Sequence, residues 1–164
     1  MHSRPDAVAL VQRLRSAGQT IVFTNGVFDL LHVGHVRYLQ AARAEGDLLV
    51  VGINSDASTR KLKGDGRPIL TERARATLVA ALRAVDYVVI FDDLDVNSLL
   101  RELQPDVHAK GTDYTADTVP ERKVAAMLGI RVAIVGDPKQ HSTGDLLARL
   151  RRQHNDQNSD QNNG

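Results

Sequence analysis

The chain predicts an α/β fold: a doubly wound five-stranded parallel sheet with helices on both faces. Three observations carry that expectation. Short apolar, β-branched runs alternate with amphipathic helical patterns. Runs such as LLVVGI are apolar on both faces, as a strand covered by helices on either side must be. The length, 164 residues, suits one domain with its own core.

The elements follow in order. Val8, Leu10, Val11 and Leu14 lie near one face of a first helix that Gly18 ends. Ile21–Phe23 is the first strand. A second helix spans 33–44, with Val36, Leu39 and Gln40 at helical spacing, and Leu48–Ile53 is the second strand. Thr71 can cap a third helix over 71–83, although Ala74 stands where a capping box would carry Glu. Val85–Phe91, Asp106–Ala109 and Arg131–Val135 read as the remaining strands. Helical patterns cover 96–103, 118–128 and 143–152. One domain therefore covers residues 1–152, and the polar stretch 153–164 is expected to be a disordered tail. There is no internal repeat. Crossovers in such a sheet are right-handed, and ligands bind beyond the carboxyl ends of the strands, near the switch in strand order.

Composition removes several classes of function. The absence of cysteine excludes a disulfide scaffold, a cysteine nucleophile, an iron–sulfur centre and a thiolate zinc site, and suits the cytoplasm. Lys plus Arg is 21 against 20 for Asp plus Glu, a net charge of +1, and aromatic residues are 4%. Neither favours a nucleic-acid partner. No apolar run approaches the ~20 residues that cross a bilayer, and no targeting segment is visible, so no membrane partner is expected.

The chemistry lies in the segments after the strands. The first contains Thr24, Asn25, Gly26, Phe28, Asp29, His32, Gly34 and His35. Two histidines three apart at a helix start project from one face, and Gly34 between them lets a ligand approach the backbone. A helix N-terminus favours phosphate. Asp29 is the one local carboxylate, so a zinc site is not expected and no metal ligands are assigned. The second segment is basic: Arg60, Lys61, Lys63 and Arg67, then Arg73, with Gly64 and Gly66 suggesting a mobile loop. Asp56 at the end of the second strand either faces a nucleotide or shapes the loop. The third is Lys110-Gly111-Thr112-Asp113-Tyr114, with Glu121 at a helix start, where it could simply complement the dipole. His108 reads as a packing residue. The fourth is Gln140-His141-Ser142-Thr143-Gly144, where Ser142 and Thr143 open a helix.

GVFDLLHVGH resembles the G-x-F-D-x-x-H-x-G-H signature of the cytidylyltransferase-like nucleotidyltransferase superfamily, which has a Rossmann-like fold. Colinear segments over residues 6–150, including VRYLQAAR, GINSDAS, LKGDGRPI, TERARATLVAALRAVDYVV, DVHAKGTDY and HSTGDLL, are most similar to the D-glycero-β-D-manno-heptose 1-phosphate adenylyltransferases. The resemblance implies transfer of AMP from ATP, with Mg²⁺, to a sugar 1-phosphate, releasing pyrophosphate. It implies catalytic roles for His32, His35, Lys63 and Arg73. It places Thr24, Asn25, Gly26, Phe28, Gly34, Lys61, Gly111, Asp113, Ser142 and Thr143 at the nucleotide. It places Asp29, Asp56, Arg67, Lys110 and Glu121 at the acceptor. Phe28 is also expected to hold its loop against the core, and Asp29 to orient the loop or His32. Thr112 and Gly144 depart from the pattern, which has glycine and threonine there. A homodimer is implied, as is a separate sugar kinase that supplies the acceptor for ADP-heptose biosynthesis.

The acceptor phosphate has a second pKa of about 6 and is ionised at neutral pH, so no general base is required. Alignment and charge neutralisation then carry catalysis. Three other readings compete with this one. A glycerol-3-phosphate cytidylyltransferase using CTP would carry an R-T-x-G-I-S-T segment, and the chain has no arginine there. An ATP-binding sensor module would not need His32, His35, Lys63 and Arg73. A dinucleotide-dependent oxidoreductase would need G-x-G-x-x-G after the first strand.

Overall fold

The computed structural model describes residues 3–137. In order, these form α1 (Arg4–Ser16), β1 (Ile21–Gly26), α2 (Val33–Arg43), β2 (Leu48–Asn54), α3 (Asp56–Lys63) and α4 (Glu72–Ala80). Then come β3 (Tyr87–Phe91), α5 (Asn97–Leu103), β4 (Val107–Gly111), α6 (Arg122–Met127) and β5 (Arg131–Val135). The five strands are all parallel, in the order β3-β2-β1-β4-β5. The order reverses between β1 and β4, which creates the crevice where doubly wound sheets bind ligands.

Burial on both sheet faces explains the apolar runs. Val22, Leu49, Val51 and Ile53 pack under Leu39 and Ala42 of α2 and Ala76 and Val79 of α4. Ile21, Phe23 and Val50 face the opposite way, against Val11 of α1, Leu99, Leu100 and Leu103 of α5, and Ala125 of α6.

At the amino-terminal edge of the sheet, three aspartates stand immediately before strands. Asp47 accepts from the Thr20 amide, Asp86 from Leu49 and Asp106 from Ile21, each at 2.8 Å. Arg43 pairs with Asp86 at 3.0 Å and Arg15 with Asp106 at 3.1 Å. These carboxylates satisfy strand-initial amides that would otherwise lack a partner within the sheet.

Local chemistry shifts several expected boundaries. Asp56–Lys63 is a helix and not part of a basic loop. It has one aliphatic residue beyond alanine, Leu62, so periodicity does not reveal it. Its ends are supported instead. The Ser55 side chain accepts from Ser58 N at 3.1 Å, Asp56 lies in the first turn, and Arg60, Lys61 and Lys63 lie in the last. The helix expected from 118 starts only at Arg122. Thr118 is held in a turn with Thr115, and Pro120 disfavours helical backbone at Val119. β4 runs two residues further than expected, so Lys110 and Gly111 belong to the strand end. Thr71 caps α4 as expected, accepting from Ala74 N. The expected helix 143–152, with Ser142 and Thr143 at its start, and the tail 153–164 lie outside the described residues.

Candidate functional site

A cleft of about 740 Å³ opens above the carboxyl ends of β1 and β4. β1 delivers Asn25 and Gly26 to its floor, and the following loop leads to His32, the N-cap residue of α2. His32, Gly34 and His35 all line the cleft, so the positive end of the α2 dipole faces it. The two imidazoles stack, with centroids 3.9 Å apart and planes inclined by 23°. Phe28 packs edge-on against His35 at 5.3 Å. Its backbone has φ 49°, unusual for a bulky residue, and its ring is buried. The ring occupies the space above Gly26. A Cβ there would lie 2.9 Å from the ring, so the motif glycine admits the phenyl group.

One wall comes from the segment after α3. Lys63, in the last turn of α3, and Arg67 line it. The Asp29 carboxylate, nearly fully buried, accepts from Arg67 Nε at 2.7 Å and from the amides of Ile69 and Leu70 at 2.8 and 3.0 Å. Burial raises the pKa of this carboxyl group, but those two amides and the Arg67 charge outweigh that and hold it below the ordinary aspartate value. Arg75, fully buried in α4, donates to Leu70 O, Val27 O and Asp56 Oδ1.

The opposite wall is built by β4 and β5. Lys110 is buried against Glu121, with Nζ to Oε2 at 3.1 Å. Its Nζ also donates to Asn25 Oδ1 at 3.2 Å and lies 5.4 Å from the Tyr114 ring centroid. His108 Nε2 donates to the same Asn25 oxygen at 3.3 Å. Burial and the nearby Lys110 charge push the His108 pKa down to about 3, so it stays neutral. Tyr38 donates to Ala109 O at 3.1 Å and shares a short hydrogen bond with Thr24. Burial pushes the Tyr38 hydroxyl pKa up to about 12. Thr112 takes its place without left-handed backbone, and its hydroxyl donates to Asp137 O at 3.0 Å, tying the ends of β4 and β5 together.

The cleft thus collects Asn25, Gly26, Phe28, Asp29, His32, Gly34, His35, Lys63, Arg67, Lys110, Gly111 and Asp113 from the residues singled out in the sequence. It does not collect Lys61 or Arg73, which were expected on the same rim. Residues two apart on a helix point about 200° apart, so when Lys63 faces the cleft Lys61 cannot, and Arg73 is exposed where Arg75 is buried. Thr24 is fully buried against Tyr38, Asp56 is paired with Arg75, and Glu121 is paired with Lys110. These three support the walls and do not line them.

Arg37, Tyr38, Asn54 and Asp137 line the cleft but escaped the sequence reading. Tyr38 had a signal, lying three residues beyond His35 on one helix face. Arg75 had one too. It occupies the stripe of Val79 and Leu82, where a charged residue must be held by buried partners.

Comparison with known proteins agrees with this arrangement. Residues 23–150 match the cytidylyltransferase-like family. The bifunctional protein HldE of Syntrophotalea carbinolica is 50% identical over 136 residues, 83% of this chain and 28% of that protein. The HldE of Geotalea uraniireducens is 47% identical over 160 residues, 92% of this chain and 33% of that protein. The chain therefore spans about a third of the length of these relatives. The crystal structure of the lipopolysaccharide core biosynthesis protein from Thermoplasma volcanium superposes with a TM-score of 0.61 at 31% identity, over 74% of this chain and all of that one. A parallel sheet with its cleft at the order switch, a histidine pair at a helix start and this extent of similarity lead to one conclusion: the chain belongs to the cytidylyltransferase-like family of nucleotidyltransferases.

Proposed function

We propose that the chain transfers AMP from ATP to a sugar 1-phosphate, D-glycero-β-D-manno-heptose 1-phosphate, giving ADP-heptose and pyrophosphate. One observation carries the reading. The stacked His32–His35 pair, Lys63, Arg67 and Lys110 converge on one cleft above the β1/β4 switch. A triphosphate and a sugar phosphate together bring several negative charges, and such a cleft can neutralise them. The similarity to HldE proteins supports the adenylyl and heptose assignment over a cytidylyl one.

In this reaction an oxygen of the acceptor phosphate attacks the α-phosphorus in line, and pyrophosphate departs with the electron pair of the broken bond. His32 and His35 stabilise charge on the triphosphate. Lys63 and Arg67 offset charge from the second wall, and Lys110 with Asn25 holds the switch-side floor. Mg²⁺ enters with ATP as part of the substrate. Among the described residues no three His, Cys, Asp or Glu groups cluster to hold a metal ion. A sugar kinase supplies the acceptor, and we take the cytoplasm as the site of the reaction. Among the described residues no helix is long and apolar enough to cross a membrane.

The test is pyrophosphate release with each of four nucleoside triphosphates, crossed against heptose 1-phosphate and glycerol 3-phosphate. Turnover with ATP and heptose 1-phosphate is expected. Selective turnover with CTP and glycerol 3-phosphate would overturn the assignment.

A further inference from the structure

The histidine loop and the segment that carries the second-wall cations are bound to each other twice, in opposite senses. From the loop, Asp29 accepts the amides of Ile69 and Leu70 and the Nε of Arg67. From α4, Arg75 donates to both segments: Nη1 to Val27 O at 2.6 Å and Nε to Leu70 O at 3.0 Å. Its third bond, Nη2 to Asp56 Oδ1 at 2.8 Å, reaches the first turn of α3, the helix that presents Lys63. The Arg75 side chain is fully buried, so it does not touch substrate.

A merely structural role explains this poorly. A buried guanidinium is costly to desolvate, and an aliphatic residue in the stripe of Ala76 and Val79 would serve the core at least as well. Moreover, the three acceptors of Arg75 lie in segments that build the cleft, and none lies in a strand. The planar fork of arginine can hold three such acceptors at fixed mutual angles, which a lysine cannot.

We propose that Arg75 is a positioning residue which, with Asp29, fixes the spacing between the His32–His35 pair and the Lys63–Arg67 wall, so that the site meets its two phosphates already formed. The proposal rests on the nucleotidyl-transfer reading. It also replaces Arg73 by Arg75 as the arginine of this helix on which activity depends, acting through other residues and not on the phosphates.

The experiment compares Arg75→Lys and the milder Asp56→Asn with the parent chain, taking turnover per folded molecule. A displacement of about 1 Å between catalytic groups costs on the order of 100-fold in rate. Arg75→Lys is therefore expected to lower kcat about 100-fold while KM for ATP changes little, and Asp56→Asn to lower it less. In a Lys63→Ala background the same Arg75→Lys change should cost only a few fold, because the group it positions is already gone. A kcat within twofold of the parent in both single variants, or full additivity with Lys63→Ala, would overturn the proposal. Amide exchange at Ile69 and Leu70 supplies a readout independent of turnover. Both amides should exchange at least tenfold faster in Arg75→Lys, and unchanged exchange would refute the brace. If the parent chain released no pyrophosphate with any donor and acceptor, the reaction assignment would fail while the exchange measurement still decided the brace.

Discussion

The two edges of the sheet use charge in opposite ways. At the amino-terminal edge, Asp47, Asp86 and Asp106 each accept an amide at or beside a strand start, and Arg43 and Arg15 neutralise the latter two. The charge there is consumed within the protein. At the carboxyl edge, His32, His35, Lys63, Arg67 and Lys110 line one cleft. Arg67 and Lys110 have protein partners and still stand in its wall. A chain of net charge +1 is thus divided into an edge that closes its own hydrogen bonds and an edge whose basic side chains line a cleft. The same residue types serve only the fold where they pair away from a cleft, and stand in a cleft wall where the carboxyl edge opens.

The largest effect that would sharpen this contrast is on turnover. His35→Ala is expected to lower kcat about 10²–10³-fold, the usual cost of removing one charge-stabilising donor, while the melting temperature holds. Near-parental turnover in the pyrophosphate assay would break the division at its functional edge.

The opposite edge should behave in reverse. Asp106→Ala strands the Ile21 amide and removes the Arg15 pair, and is expected to cost about 1–3 kcal/mol in urea unfolding. The kcat of the folded fraction should be unchanged. A kcat loss at constant stability would show that the two edges are not separable.

His108, between the edges in β4, links stability to pH. Its folded pKa of about 3 lies below the ordinary histidine value of 6.5, so below pH 6.5 the unfolded chain takes up a proton that the folded chain refuses. Stability is therefore complete above pH 6.5 and declines as pH falls towards 3. Asp29 adds a loss of the same sign below its ordinary range near 3.8, since its folded pKa is lowered. His108→Phe should flatten the decline between pH 6.5 and 4 in urea titrations, and an unchanged slope would remove His108 as its source.

The smallest effect is expected at the exposed rim. Arg37 and Asp137 pair at 3.4 Å with both side chains more than half exposed. Asp137→Asn should change stability by no more than about 0.5 kcal/mol, because solvent screens such a pair. A larger loss would mean that the rim, like the lower edge, is held by its charges.

Much of this architecture is legible in the chain. β2 lies where its apolar run stands, because burial on both faces demands a run of that kind, and the edge strand β5 keeps its apolar residues although one face is partly exposed. The histidine pair is legible because its spacing and the glycine between the two residues are local facts. α3 is not, since its stability comes from end effects at Ser55 and Asp56 and not from an apolar stripe. The choice between Lys61 and Lys63, and between Arg73 and Arg75, is hidden for a related reason. Each pair is two residues apart, and only the docked orientation of the helix decides which member faces inward.

The sequence by itself determined the parallel α/β class, the loop that carries His32 and His35, and the family, since periodicity and motif spacing act over a few residues. The tertiary structure decided that Asp29 serves Arg67 and the segment before α4, that Asp56 serves Arg75, and that Glu121 serves Lys110. Those pairings join residues between 11 and 41 positions apart. A carboxylate's role depends on which cation or amide the packed sheet brings within hydrogen-bond distance of it, and no local pattern encodes that distance.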